Sequence, residues 1–376
     1  MKSIVMALGA ALLGSGAALA QDAVKLRTGG EVKGKITVLN SKNVNIAEAA
    51  GKATALKAEE VATVTLGGDV PPSLQKADAA VAEGRIERAL NLYPAAIEEI
   101  NQKKSRDLHK QFVYMSWALA LQQKGSPAEA LEMLRKLRAE SGADCFLRPL
   151  SFDRSLEIAR PKGDEMVEAV LNEMKGEPDP VGSKAQLEIA RMKYSKGAYE
   201  EALGLYSKLA AQAGSAYAND ARLAVLRCLR LLKKQDELEG QCKQILSDRV
   251  SNGPSLLQAA GAALAAIQLP KVEKDPGKTR ELLMSCIQSI ALGPPPNTSK
   301  EEGEDYALAL LTASKCYSIL SKGMEKQEAK DEYRNRAVSY LKEVKSFYKG
   351  TAMGEQAQKD LIAIGEEKPK DAPPNK

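Results

Sequence analysis

Apolar positions along the chain follow two different periods. From Val24 to Leu66 they recur at every second residue, as Val32, Ile36 and Val38, then Val44 and Ile46, then Val61, Val64 and Leu66. Gly29-Gly30, Asn40-Ser41 and Ala50-Gly51 interrupt the runs, so about five short strands are predicted. So many strands in so short a stretch bury their faces only by curling up, which predicts a small five-stranded β-barrel over residues 21–68. Asp69-Val70-Pro71-Pro72 then reads as a hinge (69–72), because paired prolines favour extended backbone. From Ser73 the period becomes helical and stays so nearly to the end, giving a mainly α chain with a helical region over 73–364.

The clearest helical unit runs from Lys184 to Ala213. Ile189-Ala190 precede a turn at Lys196-Gly197-Ala198, and Tyr199, Ala202, Leu203, Tyr206 and Leu209 follow at helical spacing, which reads as helix, tight turn, helix. The small Ala190 and Ala202 let two antiparallel helices approach closely. Related spacings recur: Gly84 precedes Ala89 and Tyr93, Gly125 precedes Ala130 and Leu134, and Gly163 precedes Ala169. A degenerate unit spans Phe146 to Met174. In the next, Ala221 to Leu246, Gly240 takes the anchoring position and Gln235 the turn. Pro254 and Pro276-Gly277 open further helices, to Leu269 and Leu292. Gly293-Pro294-Pro295-Pro296 reads as a loop before the pattern resumes at Glu304 to Leu320 and Ala329 to Tyr348. Met353 to Ile364 is expected to close the last apolar face, and 365–376, rich in Lys and Pro, to be disordered.

These residues resemble the tetratricopeptide repeat (TPR), with Ile189-Ala190 standing for its Leu-Gly pair and Ala202 and Tyr206 matching its Ala and aromatic positions. Lys193 and Leu209 depart from it. The spacing between units, roughly 41, 39 and 33 residues, scatters around the family's 34. The resemblance implies a TPR-like α-solenoid of about seven helical hairpins whose first helices line a concave groove. Carried over position by position, that groove contains Lys184, Leu187, Arg191, Tyr194 and Ser195, then Arg222, Val225, Leu229, Leu232 and Lys233, and nearer the N-terminus Phe112, Met115, Leu119, Gln122 and Gln123. Of these, Lys184, Leu187, Arg191, Tyr194, Arg222 and Lys233 are the candidate peptide-binding residues. The family's carboxylate clamp is not reproduced, since Leu187 and Arg191 occupy two of its places. Separately, the run Gly30 to Ile46 resembles the opening of a Sm-like or SH3-like barrel. Asn40, Asn43 and Asn45 fall out of register with the RNA-binding Asp and Asn of Sm proteins.

The first twenty residues alter the cellular picture. Lys2, the apolar run from Ile4 and the small residues Ala18 and Ala20 ahead of Gln21 predict a signal peptide over 1–20, cleaved between Ala20 and Gln21. The run is shorter than the ~20 residues that span a bilayer, and no later stretch qualifies, so the mature chain is expected to be periplasmic or secreted. Formal charge is only +5, with 27% charged residues spread along the chain. No basic stripe marks a nucleic-acid surface, whereas an acidic peptide or protein partner is compatible. Five scattered cysteines give no framework. Cys228 and Cys242 flank one turn, but Cys242 falls two residues past Gly240, about 200° around the helix, so buried free thiols are expected.

Little suggests catalysis. His109, the one histidine, sits at a helix start and is expected at the surface, and no Cys or carboxylate cluster has metal-ligand spacing. Gly277-Lys278-Thr279 imitates the end of a phosphate-binding loop, but Val272 stands where that motif needs Gly. The sequence therefore predicts a non-catalytic scaffold in a bacterial cell envelope, without cofactor or metal, that binds a protein or peptide. Two other classes are an enzyme that uses a Cys with His109, although nothing places a Cys beside that histidine, and a module that grips envelope glycan through the barrel. Scarce aromatics between Asp22 and Gly68 weigh against it, since sugar sites use aromatic faces.

Overall fold

A computed structural model describes residues 21–48, 52–67, 70–102, 105–142, 144–212, 214–293 and 300–367. The expected signal peptide, Ala20, the loop at Pro294–Pro296 and most of the tail lie outside these residues. The chain divides into two compact units, Met1–Gly176 and Glu177–Lys376.

The first unit opens with five antiparallel strands: β1 (Asp22–Leu26), β2 (Glu31–Leu39), β3 (Asn43–Ala47), β4 (Ala53–Lys57) and β5 (Val61–Thr65). They pair in the order β4-β3-β2-β1-β5, with the two ends of the long β2 serving different neighbours. Glu31–Gly34 pair with β1 and Lys35–Leu39 with β3, and the register shifts between Ile36 and Val38. That shift turns Val38 outward, 36% exposed, against its place in the alternating pattern. Gly34 leaves no room for a Cβ beside the Ala47 carbonyl, which lets β3 approach closely. Both halves of the sheet bury one core of Val24, Ile36, Val44, Ile46 and Val61.

Three helical hairpins complete this unit: α1 (Pro72–Ala82) with α2 (Ile86–Asn101), α3 (Lys110–Lys124) with α4 (Pro127–Glu140), and α5 (Arg148–Ala159) with α6 (Asp164–Met174). Several contacts hold the sheet to these helices. Arg106, just before α3, donates to both carboxylate oxygens of the buried Asp22, at 2.9 and 2.8 Å. The Ile36 and Gly67 amides donate to the same carboxylate at 2.7 and 2.8 Å. Phe146 packs into the sheet core, and the Ser41 amide donates to the Asp144 carbonyl at 2.7 Å. Farther along, Arg138 on α4 joins its neighbours. It stacks 4.2 Å over the Phe152 ring of α5 and donates to Glu173 of α6 at 2.8 Å.

The second unit holds α7 (Val181–Ser195) with α8 (Tyr199–Ala210), α9 (Ala218–Leu231) with α10 (Gln235–Ser247), α11 (Pro254–Val272) with α12 (Pro276–Leu292), α13 (Lys300–Lys322) with α14 (Gln327–Phe347), and the closing α15 (Ala352–Ala363). Seven hairpins and a closing helix are thus present among the described residues. Ala357 and Leu361 of α15 cover Leu341, Val344 and Tyr348, as a terminal repeat requires.

One local rule builds four of the hairpins. A left-handed residue closes the turn, and the fifth residue after it enters the seam. Gly84, Gly125 and Gly197 have φ of 74°, 86° and 78°, and Ala89, Ala130 and Ala202 are fully buried. In the α9–α10 hairpin the left-handed residue is Lys233, φ 57°, so the seam position is the buried Leu238. Gly240, expected there, is exposed, and Cys242 faces the core instead. The expected rotation of Cys242 away from its neighbours was therefore two residues out of register. Ala169 is likewise exposed, because α6 starts directly after Gly163 and turns Val170, Leu171 and Met174 inward. All five cysteines are free and buried.

Candidate functional site

The polar centre of the second unit lies where α7, α9 and α13 come together. It depends on α11, a helix in which Ala259, Ala260, Gly261, Ala262, Ala263 and Ala265 are all buried. Short side chains on every face make it thin, so α9 on one side and α13 on the other come within side-chain reach. Arg227 Nη2 lies 2.9 Å and Nε 3.1 Å from Asp305 Oδ2. Arg230 Nη1 donates to Asp305 Oδ1 at 3.2 Å, and its Nη2 donates to Glu304 at 2.9 Å. The Asp305 side chain is 5% exposed and that of Glu304 40%, so the network is sealed at one end and wet at the other. Burial alone would lower the Arg227 pKa, but Asp305, with smaller help from Glu304 and Tyr194, outweighs it and the net displacement is upward. Tyr194 of α7 belongs to the same cluster. Its ring meets Tyr199 edge-on at 5.3 Å. Burial first, and then the Glu304 charge, push its hydroxyl up to about 12.

The candidate groove residues are divided by this arrangement. Leu187 is 2% exposed and belongs to the core with Ala190 and Leu229, so it lines no groove; it lies on the face that α7 turns toward its neighbours. Val225 and Leu229 are buried in the same core. Phe112 and Met115 of α3 are buried in the first unit. Lys184 is half-buried. Arg191 is exposed and pairs with Glu188 at 2.8 Å. Arg222 is exposed and donates to Asn252 at 3.4 Å. Lys233 forms the left-handed turn after α9 and so stands off the helix face assigned to it. Sequence reasoning missed Arg227, Arg230, Glu304 and Asp305. Arg227 and Arg230 are spaced i, i+3 on α9, a pairing visible in the sequence, but nothing there shows that α13 supplies the acids.

A second polar cluster lies in the first unit. Tyr93, Trp117 and Tyr114 stack in series, with ring centroids 5.9 and 6.5 Å apart. Asp78 of α1 accepts from Ser116 of α3, yet burial outweighs that bond and pushes its carboxyl up to about 7. The Tyr93 hydroxyl is displaced upward by burial and then by Asp78. A carboxyl raised in the folded state costs stability wherever it must ionise. That cost is absent below about pH 4, grows as the pH rises toward 7 and is complete above it. Asp78→Asn is therefore expected to raise the melting temperature more at pH 8 than at pH 5. An equal shift at both pH values would show that Asp78 is not held neutral.

His109 is fully buried, contrary to the expectation of a surface site. It ends the short turn Asp107–His109, with Nδ1 3.0 Å from the Arg106 carbonyl, beneath the arginine that grips Asp22. The Gly277-Lys278-Thr279 stretch is the start of α12. Asp275 caps it by accepting from the Gly277 and Lys278 amides at 3.0 and 3.2 Å. Thr279 is buried and donates to the Asp275 and Val272 carbonyls. Among the described residues no group of three or more His, Cys, Asp or Glu is placed to hold a metal ion. No helix among them is long and apolar enough to cross a membrane.

No protein-family model matches the sequence, and no curated protein matches it. Solved structures do. PilW, a type IV pilus biogenesis factor, is 11% identical, with 66% of this chain and 98% of that one covered and a TM-score of 0.37. The C-terminal part of a TPR repeat-containing protein from Cytophaga hutchinsonii is 11% identical, covering 76% and 98% at a TM-score of 0.40. PilF of Pseudomonas aeruginosa is 15% identical, covering 77% and 96% at 0.32. The fold is a series of helical hairpins, with a five-stranded antiparallel sheet at its N-terminal end.

Proposed function

We propose that the protein is an exported, non-catalytic scaffold that binds another protein or peptide, with acidic groups, on the α7–α9 face of its second unit. The observation that carries this reading is the half-buried Tyr194 held beside Arg227 and Arg230, with Arg191 and Arg222 exposed on the same two helices. Such a face offers an aromatic anchor and cations that an acidic chain can engage without disturbing the core. In this reading the sheet curls into the barrel expected from its sequence and supplies a second, smaller contact.

Crosslinking and co-purification from the native host test the face. Arg191→Glu combined with Arg222→Glu is expected to release the partner while leaving the fold intact, because both side chains are exposed. Retention of every co-purifying protein by the double variant would remove this face from consideration. The first residue of the purified mature chain should be Gln21.

A further inference from the structure

A cleft of about 520 Å³ lies in the second unit between α11 and α12, closed at one side by the end of α10. Leu257, Gly261, Leu264 and Gln268 form one stripe of α11, at steps of four, three and four residues. Leu282, Ser285, Ser289 and Leu292 form the facing stripe of α12. Gly261 sits against the Ser289 hydroxyl, so the helices meet closely at that level and the cleft opens beside it.

Three features define what fits. The first is volume. A space of about 520 Å³ drawn out along a stripe of about 16 Å accommodates one extended chain. The second is the walls. Ser289 already donates to the Ser285 carbonyl at 3.0 Å and Ser285 to the Glu281 carbonyl at 3.3 Å, so the amides of Gln268 and Gln288 are the main polar groups left on the walls. Leucines dominate what is left, which suits a chain without polar atoms. The third is charge. Arg249 is the one charged lining residue, and it is exposed and without an ion pair among the described residues.

From these features we infer that the cleft binds a single-tailed anionic amphiphile, with the acyl chain along the leucines and the acidic head on Arg249. The inference stands apart from the peptide site on α7 and α9. A membrane lysolipid and a free fatty acid share this chemistry.

The test uses the full chain and cis-parinaric acid, whose fluorescence rises on entering an apolar site. Saturable binding is expected, with displacement by dodecanoate at least fivefold stronger than by dodecanol, which lacks the charge. Arg249→Gln, at an exposed position, should abolish that preference, and Leu292→Trp, at the half-exposed mouth, should weaken binding at least tenfold. Displacement by lysophosphatidylglycerol at lower concentration than by dodecanoate would point to a membrane lipid as the source, and the reverse to a free acid. The inference is overturned if the probe does not bind saturably. It is equally overturned if both variants bind it as the wild type does, or if only an amphipathic helical peptide occupies the cleft.

Discussion

Asp305→Ala is expected to destabilise the second unit by about 3–5 kcal/mol, the range for leaving a buried ion pair without one partner. Asp305 is nearly inaccessible and accepts from two arginines, so its removal strands Arg227 and half-strands Arg230 between α9 and α13. Glu304→Ala provides the contrast. Its side chain is 40% exposed, and an exposed pair contributes about 0–1 kcal/mol. Denaturant titration distinguishes them: a large fall in midpoint at unchanged slope for Asp305→Ala, and little change for Glu304→Ala. Equal effects would mean that water reaches the whole network. A loss of under 1 kcal/mol for Asp305→Ala would mean that packing on α11, and not charge, holds α9 and α13.

The other large effect is expected at Asp22. Asp22→Ala removes the acceptor for the Ile36 and Gly67 amides and for both terminal nitrogens of Arg106. About 3–5 kcal/mol should be lost, concentrated in the sheet. Burial alone would raise the Asp22 carboxyl, but the hydrogen bond from Arg106, the two amides and the Arg106 charge together hold it below the usual carboxylate range. The sign follows. A depressed carboxyl contributes stability that is complete above its unfolded value of about 4 and is lost as pH falls through the folded one. Hydrogen exchange of β2 and β3 amides should show wild-type protection falling on acidification below pH 4, with Asp22→Ala already unprotected at pH 7. Unchanged protection at pH 7 in the variant would show that the Phe146 and Ser41 contacts secure the sheet without Asp22.

What could be read from the sequence was what local chemistry determines. The alternation of Val24, Ile36, Val44 and Ile46 marks strands because only one face is buried. Gly84, Gly125 and Gly197 mark hairpin turns because the chain needs a positive φ there. The same rule explains a failure. Lys233 adopts that conformation with a side chain attached, so the turn carried no glycine to find, and Gly240 and Cys242 were assigned to the wrong faces. Val38 misled because a register shift is invisible to a count of alternate residues. The candidate site was legible only in part. Tyr194, Arg191 and Arg222 came from the position of a residue along a repeat, which gives the helix but not how deeply each side chain is buried. Leu187 fell to that limit. Arg227 and Asp305 are joined across 78 positions of sequence, through a helix thinned by alanine, and such a pairing leaves no local trace.

The attachment of the sheet has a consequence for how any partner would be held. Two binding surfaces joined by a flexible linker meet a bivalent partner with an effective concentration set by the linker's length, and part of the gain is lost in ordering it. Asp22, Arg106 and Phe146 take that freedom away inside the first unit. A molecule touching both the sheet and the α1–α6 hairpins would meet them at one fixed spacing. A partner engaging both would have to carry contact points that match that spacing.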